Sequence, residues 1–263
     1  MGFETIEYSV ADGVAKLVLN RPDSLNSFNE TMHGEVRAAL KDLSADDTVR
    51  CLLITGSGRG FCAGQDLSDR QVKPGDEPPD LGKTLEKHYN PLIRNLRNLE
   101  MPVVCAVNGV AAGAGASIAF ACDLVIAARS AKFIQAFCKV GLLPDSGGTW
   151  ILPRLVGHAR AMALAMLGEP VKAEQAEAWG VIYKCVDDDA LEQEANRLTS
   201  YLARQPTKGL ALIKRAINAA YSNTLDEHLD LERDSQRVLG RTADYQEGVA
   251  AFLEKREADF KGR

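Results

Sequence analysis

The chain has little with which to bind a metal or build a disulfide framework. Its six cysteines, Cys51, Cys62, Cys105, Cys122, Cys138 and Cys185, stand singly in apolar segments with no CxxC pair. That pattern predicts reduced, mostly buried thiols in a cytoplasmic protein. Four histidines, His33, His88, His158 and His228, lie far apart and match no ligand spacing, so no metal site is expected. Basic residues are in the minority, 31 Lys and Arg against 36 Asp and Glu. This argues against a nucleic-acid partner, although a local basic patch would suffice for an anionic substrate. No run of about 18 apolar residues occurs, and the nearest stretch, 103–128, is interrupted by Asn108, Ser117 and Asp123, so no membrane span is expected. The opening MGFETIEYSV lacks the basic and apolar regions of a secretory signal. Neither GxxxxGKS/T nor a GxGxxG after the first strand is found, which removes the phosphate cradle of NTPase or dinucleotide chemistry.

What is present is an ordinary globular composition, 46% hydrophobic and 25% charged over 263 residues, enough for one large domain or a core with an appendage. FETIEYSV, the turn ADG and VAKLVLNRP read as a hairpin. Asn29 is placed to cap an amphipathic helix through Leu43, with Met32, Val36, Ala39, Leu40 and Leu43 on one stripe. VRCLLITGSG and PVVCAVNG read as strands buried on both faces, and DLVIAAR and KFIQ as further strands. Residues 59–80 form a long loop of Gly, Pro and charge, followed by a helix from about Leu81 to Leu99. Strand and helix alternate in this part, the mark of α/β architecture. From about Pro170 the pattern is almost entirely helical. The last helices carry apolar stripes between dense charges and need a surface to lie on. We divide the chain at 1–200 (core) and 201–263 (C-terminal helical region).

Chemistry concentrates in three stretches. GLLPDSGGTWILPRLVG, 141–157, sets one carboxylate, Asp145, among Leu142, Leu143, Pro144, Trp150, Ile151 and Leu152. A charge in apolar surroundings is costly unless paired or hydrogen-bonded. Asp145 is therefore either the N-cap of the following helix or a functional acid. GFCAGQD and NGVAAGAGAS each follow a buried strand with small residues that expose backbone N–H groups, the raw material of an oxyanion hole. Ser117 within GASIA weakly suggests a nucleophile elbow, but Asp145 and His158 lie too close together to complete that scheme.

The ordered segments LNRPDSLNSFN, GRGFCAGQDL, AVNGVAAGAGASIAFACD, GLLPDSGGTWILPRLVG and AEAWGVIYKCV together resemble the crotonase, or enoyl-CoA hydratase/isomerase, superfamily along nearly the whole chain. The resemblance implies a ββα superhelix core with a C-terminal helical trimerisation region, acting as a homotrimer or dimer of trimers. It implies a CoA thioester as substrate and no separate cofactor. The backbone N–H groups of Gln65 and Ala114 would hold the thioester oxygen; the superfamily usually has glycine at the second position, and alanine retains the N–H. Ala63, Asp66 and Leu67 would wrap the adenine end of CoA, and Phe252 and Lys255 would reach a neighbouring subunit's CoA.

Departures from the superfamily pattern set the expected reaction. Hydratases of the family use two glutamates, and the matching positions here are Ser117 and Phe137, so hydration is disfavoured. A carboxylate stands instead at Asp145, as in isomerases and in a dehalogenase of the superfamily. Asp145 would be the general acid/base, its proton affinity raised by Leu142, Phe137 and Trp150. GFCAGQDL, YNPLIRNL and ADYQEGVAAFLEKR are most similar to members that isomerise a ring epoxide of a phenylacetyl thioester and also shift enoyl double bonds. A linear enoyl-CoA isomerase, an aryl-CoA dehalogenase and a non-catalytic binding member are the alternatives. The dehalogenase needs a further base, for which His88 is only roughly placed; His88 is expected as a surface helix residue.

Overall fold

The first turn, Asp12-Gly13, has positive φ at both residues, 50° and 76°, as a two-residue hairpin of the favoured twist requires. It joins β1 (Ile6–Ala11) to β2 (Val14–Leu19) in antiparallel register, from Ile6 opposite Leu19 to Ala11 opposite Val14. The computed structural model describes residues 2–68, 77 and 79–262, so most of the predicted 59–80 loop's acidic and proline-rich half lies outside the described residues. Asn29 caps α1 (Glu30–Ser44), its Oδ1 accepting from the Met32 N–H at 2.9 Å. Met32, Val36, Ala39, Leu40 and Leu43 are buried as their spacing predicts, and His33 joins them.

The chain then repeats one unit, a strand in each of two sheets followed by a helix. β3 (Cys51–Gly56) and β4 (Gly60–Cys62) precede α2 (Leu81–Thr84), which runs through a π-helical tract at Leu85–Tyr89 into α3 (Asn90–Asn98). β5 (Val103–Val107) and β6 (Val110–Ala112) precede α4 (Ala114–Ala121); β7 (Leu124–Ala128) and β8 (Lys132–Ile134) precede α5 (Gly148–Leu167). β9 (Val171–Lys172), α6 (Ala173–Ala178), β10 (Lys184–Val186) and α7 (Leu191–Ala203) close the core. α8 (Thr207–Ala219), α9 (Leu225–Leu239) and α10 (Ala243–Glu254) follow.

The larger sheet runs β1-β2-β3-β5-β7-β10, and the smaller β4-β6-β8-β9. All pairings are parallel except β1–β2 and β8–β9. This is the mixed α/β superhelix that the resemblance implies. β5 is buried at every residue because both sheet faces are covered, which is why it reads as an unbroken apolar run. The expectation of an almost wholly helical chain after Pro170 needs amendment. β9 and β10 lie there, and β10 extends the larger sheet beside β7; strands of two and three residues are too short to show a period.

The C-terminal helices are tied to the core through Arg50, which donates to Gln205 O, Thr207 Oγ1 and Phe260 O. α9 opens with a capping box between Thr224 and Glu227. Large apolar side chains on α9 and α10 face outward, Leu225 at 73%, Phe252 at 83% and Leu253 at 74% exposure, matching the uncovered stripes in the sequence. No helix among the described residues is long and apolar enough to cross a membrane.

Candidate active site

Two glycine-rich turns, one after each buried strand of neighbouring repeats, meet edge to edge. Gly64 has φ of +90°, and a Cβ there would lie 3.0 Å from Ala112 O and 3.2 Å from Ala114 N. A side chain would therefore wedge the two turns apart. At the next residue, a Cβ at Gly115 would sit 2.2 Å from Cys62 O. The run AAGAGAS is thus small because backbone packs on backbone. The same run begins α4, whose first-turn N–H groups have no intrahelical acceptor; Ala114 is its first residue, and the first ladder bond runs from Ser117 N to Gly113 O.

The Gln65 N–H is released in another way. Phe28 and Gln65 form a parallel bridge in which Phe28 N donates to Gly64 O and Asp66 N donates to Phe28 O. In this pattern the bonds on one strand come from the residues on either side of Gln65, so its own N–H points to the opposite edge. Gly64, the neighbour of Gln65, and Ala114 thus meet at one junction.

The other predicted residues fall around it unevenly. The Phe137 ring lies 3.7 Å from where a Gly113 Cβ would be, and Leu142 N donates to Phe137 O at 3.0 Å. Ser117 is fully buried; its hydroxyl donates back to Gly113 O at 3.4 Å and would lie 2.8 Å from a Cβ at Gly148. The turn carrying Asp145 therefore abuts α4. Asp145 is half-buried, and its Oδ1 accepts from the Ser146 hydroxyl at 2.8 Å. It does not cap α5: the N-cap is Gly147, with φ of 79° and no side-chain bond. The alternative that gave Asp145 a purely capping role is overturned by the left-handed turn that separates it from the helix.

Trp150, expected beside Asp145, is a platform for cations: Arg154 and Arg97 lie over its ring at 3.9 and 4.8 Å. Leu142 is largely exposed. Ala63 N donates to Leu25 O, and Leu67 is 58% exposed. Asp66 accepts from Ser68 Oγ at 2.6 Å and pairs with Arg21 at 2.9 Å, and these contacts hold its carboxyl below the usual range. Phe252 and Lys255 are at the end of α10, where Phe252 lines an apolar groove with Tyr245, Val249 and Leu253. That groove contains none of the residues around Asp145.

The sequence reading missed what holds the Gln65 strand. Its side-chain Nε2 donates to Phe28 O at 2.9 Å, and its Oε1 accepts from Tyr89 OH at 3.0 Å and faces His33 Nε2 at 3.5 Å. His33 and His88, distant in sequence, stack with centroids 4.5 Å apart. His88 is buried at 6% exposure, bonded by Arg37 and Glu30, which corrects its assignment to the surface. The π-helical tract widens the helix and turns His88 and Tyr89 inward, off the regular period. His33 was legible, because it lies on the apolar stripe of α1. Among the described residues no three potential ligands gather into a metal site.

Burial, chiefly, and the nearby His88 push the His33 proton affinity down to about 4. Its unfolded value is near 6.5, so the unfolded chain takes up the proton first as pH falls. His33 therefore contributes stability above pH 6.5 that is lost between about 6.5 and 4, on the order of 2 kcal/mol by pH 5. The urea midpoint should drop from pH 7 to pH 5, and His33→Gln should flatten that dependence; an unchanged slope would contradict the assignment.

A family model described as Enoyl-CoA hydratase/isomerase matches residues 9–263. The chain belongs to that family. It is 60% identical over 260 residues to the 1,2-epoxyphenylacetyl-CoA isomerase of Escherichia coli (strain K12), covering 99% of each chain. It is 39% identical over 264 residues to the trans-2-decenoyl-(acyl-carrier-protein) isomerase of Streptococcus mutans, covering all of both. The solved structure of an enoyl-CoA hydratase from Bacillus anthracis superposes with a TM-score of 0.92 at 30% identity, covering 99% of this chain and 100% of that one. As a member of the enoyl-CoA hydratase/isomerase family the chain is an enzyme, and its crotonase-type architecture is shared with hydratases and isomerases alike.

Proposed function

We propose that the protein is a CoA-thioester isomerase that converts ring 1,2-epoxyphenylacetyl-CoA to the oxepin thioester and also shifts enoyl double bonds. The observation that carries this reading is the single carboxylate, Asp145, on the turn that abuts α4, with Ser117 and Phe137 where a hydratase would need acids. The 60% identity to a named epoxyphenylacetyl-CoA isomerase supports the same choice. Asp145 is the general acid/base, and the Gln65 and Ala114 N–H groups hold the thioester oxygen.

For a 3-enoyl thioester the steps balance without water or cofactor. Asp145 takes the proton from C2, and the C–H electron pair moves into the thioester to give a dienolate whose oxygen the two N–H groups stabilise. The protonated acid returns a proton at C4, and the double bond ends conjugated with the carbonyl. Phe137, packed on Gly113, keeps water from adding. Ala63, Asp66 and Leu67 bind the nucleotide part of CoA, Ser117 and Leu142 bound the acyl pocket, and Phe252 and Lys255 serve a neighbouring subunit. The exposed apolar faces of α9 and α10 are covered in a homotrimer or dimer of trimers. CoA enters only as part of the substrate, and no metal or separate cofactor is used.

The acyl preference is tested by competition. The ring-epoxide thioester should be turned over with kcat/KM at least about tenfold above a linear 3-enoyl-CoA, equivalent to about 1.4 kcal/mol of transition-state discrimination. Preference for the linear substrate would make the protein an aliphatic enoyl-CoA isomerase.

A further inference from the structure

Ser146 occupies a backbone conformation that its residue type rarely adopts. Its φ is +53°, it is only 3% exposed, and it precedes Gly147 at φ of +79°. In the left-handed region the Cβ of an L-residue crowds its own carbonyl, so glycine is the low-energy choice, with Asn and Asp next. Asp12 and Asn26 hold positive φ with side chains of that tolerant type; Leu25, Lys255 and Ser146 do not, and of these three only Ser146 is buried. The chain places glycine at the next two positions, so a buried serine here calls for a role for its hydroxyl.

That hydroxyl donates to Asp145 Oδ1 at 2.8 Å. The terminal torsion of an aspartate is broad and roughly two-fold, so a carboxylate is not oriented by rotamer preference alone. A hydrogen bond to one named oxygen sets its plane. We infer that Ser146 is a positioning residue for the isomerisation: its hydroxyl, presented by the left-handed turn, fixes the Asp145 carboxylate in the orientation from which it takes and returns the proton. This rests on Asp145 being the base. The strained turn is then part of the site, since it is the conformation that folds the Ser146 side chain back onto its neighbour.

The test is Ser146→Gly, which removes the hydroxyl and relieves the strained backbone together, with Ser146→Ala beside it. Loss of a hydrogen bond to a charged group predicts a fall in kcat of about 10- to 100-fold in both variants, with KM nearly unchanged. The glycine variant should melt at or above the parent temperature. Parental kcat in Ser146→Gly would overturn the inference. So would a joint loss of kcat and melting temperature in that variant, which would mean the serine only supports the fold. In the Asp145→Asn background, Ser146→Gly should cause no additional loss; an additive loss would show the hydroxyl acting apart from Asp145. Failure of the base reading is separately visible, because Asp145→Asn alone would then keep its turnover whatever Ser146 does.

Discussion

Asp145→Asn is expected to abolish most isomerisation while leaving the protein folded and able to bind CoA thioesters. The amide keeps the size and the acceptor oxygen that Ser146 contacts at 2.8 Å but cannot take a proton. Removing a general acid/base should lower kcat on the order of 10³- to 10⁴-fold, or about 4–5 kcal/mol in barrier. Because Asp145 does not cap α5, the melting temperature should change little. Turnover of both 3-enoyl-CoA and the ring-epoxide thioester, measured with CoA-thioester binding, decides the matter. Near-parental kcat would remove Asp145 from the chemistry; loss of binding with loss of folding would make it structural.

The second large effect is expected from Ala114→Pro. Ala114 is the first residue of α4, the helical position where proline is best tolerated because its N–H is not needed for the ladder. The substitution removes that donor and sets a ring carbon at the nitrogen where the Gly64 and Ala114 turns pack, so the melting temperature is read beside the rate. If that N–H holds the developing oxyanion, kcat should fall about 10²- to 10³-fold. Ala114→Gly, which keeps the N–H, should stay close to parent in rate, so the pair separates the donor from the side chain. Full activity in a folded Ala114→Pro enzyme would exclude the N–H from the site.

Much of the fold was legible because its signals are local. The Asp12-Gly13 hairpin, the Asn29 cap, the nearly all-apolar β3 and the unbroken apolar β5 each follow from residue type and period. The small-residue run around Ala114 was legible as a backbone approach, and the structure supplies the reason: a Cβ at Gly115 would overlap Cys62 O. What escaped the sequence depends on irregular backbone or on contacts between distant segments. His88 and Tyr89 turn inward only because residues 85–89 are π-helical. The contact of Tyr89 with Gln65 joins residues 24 positions apart. The left-handed Ser146 could not be anticipated, since serine gives no signal for positive φ, and with Gly147 it separates Asp145 from the start of α5. Trp150 was placed near Asp145 by sequence proximity, whereas its ring carries Arg97 and Arg154.

On the proposed reading, Asp145 moves protons on a CoA thioester and no water is added. The most direct measurement is to incubate the enzyme with a 3-enoyl-CoA in deuterated water, following conjugated-thioester absorbance and product mass. If Asp145 carries the proton, the conjugated absorbance grows and the product is an isomer of the substrate, with no mass of added water and deuterium confined to the C2 and C4 positions. A hydrated product would contradict it, showing that another group replaces the glutamates absent at Ser117 and Phe137.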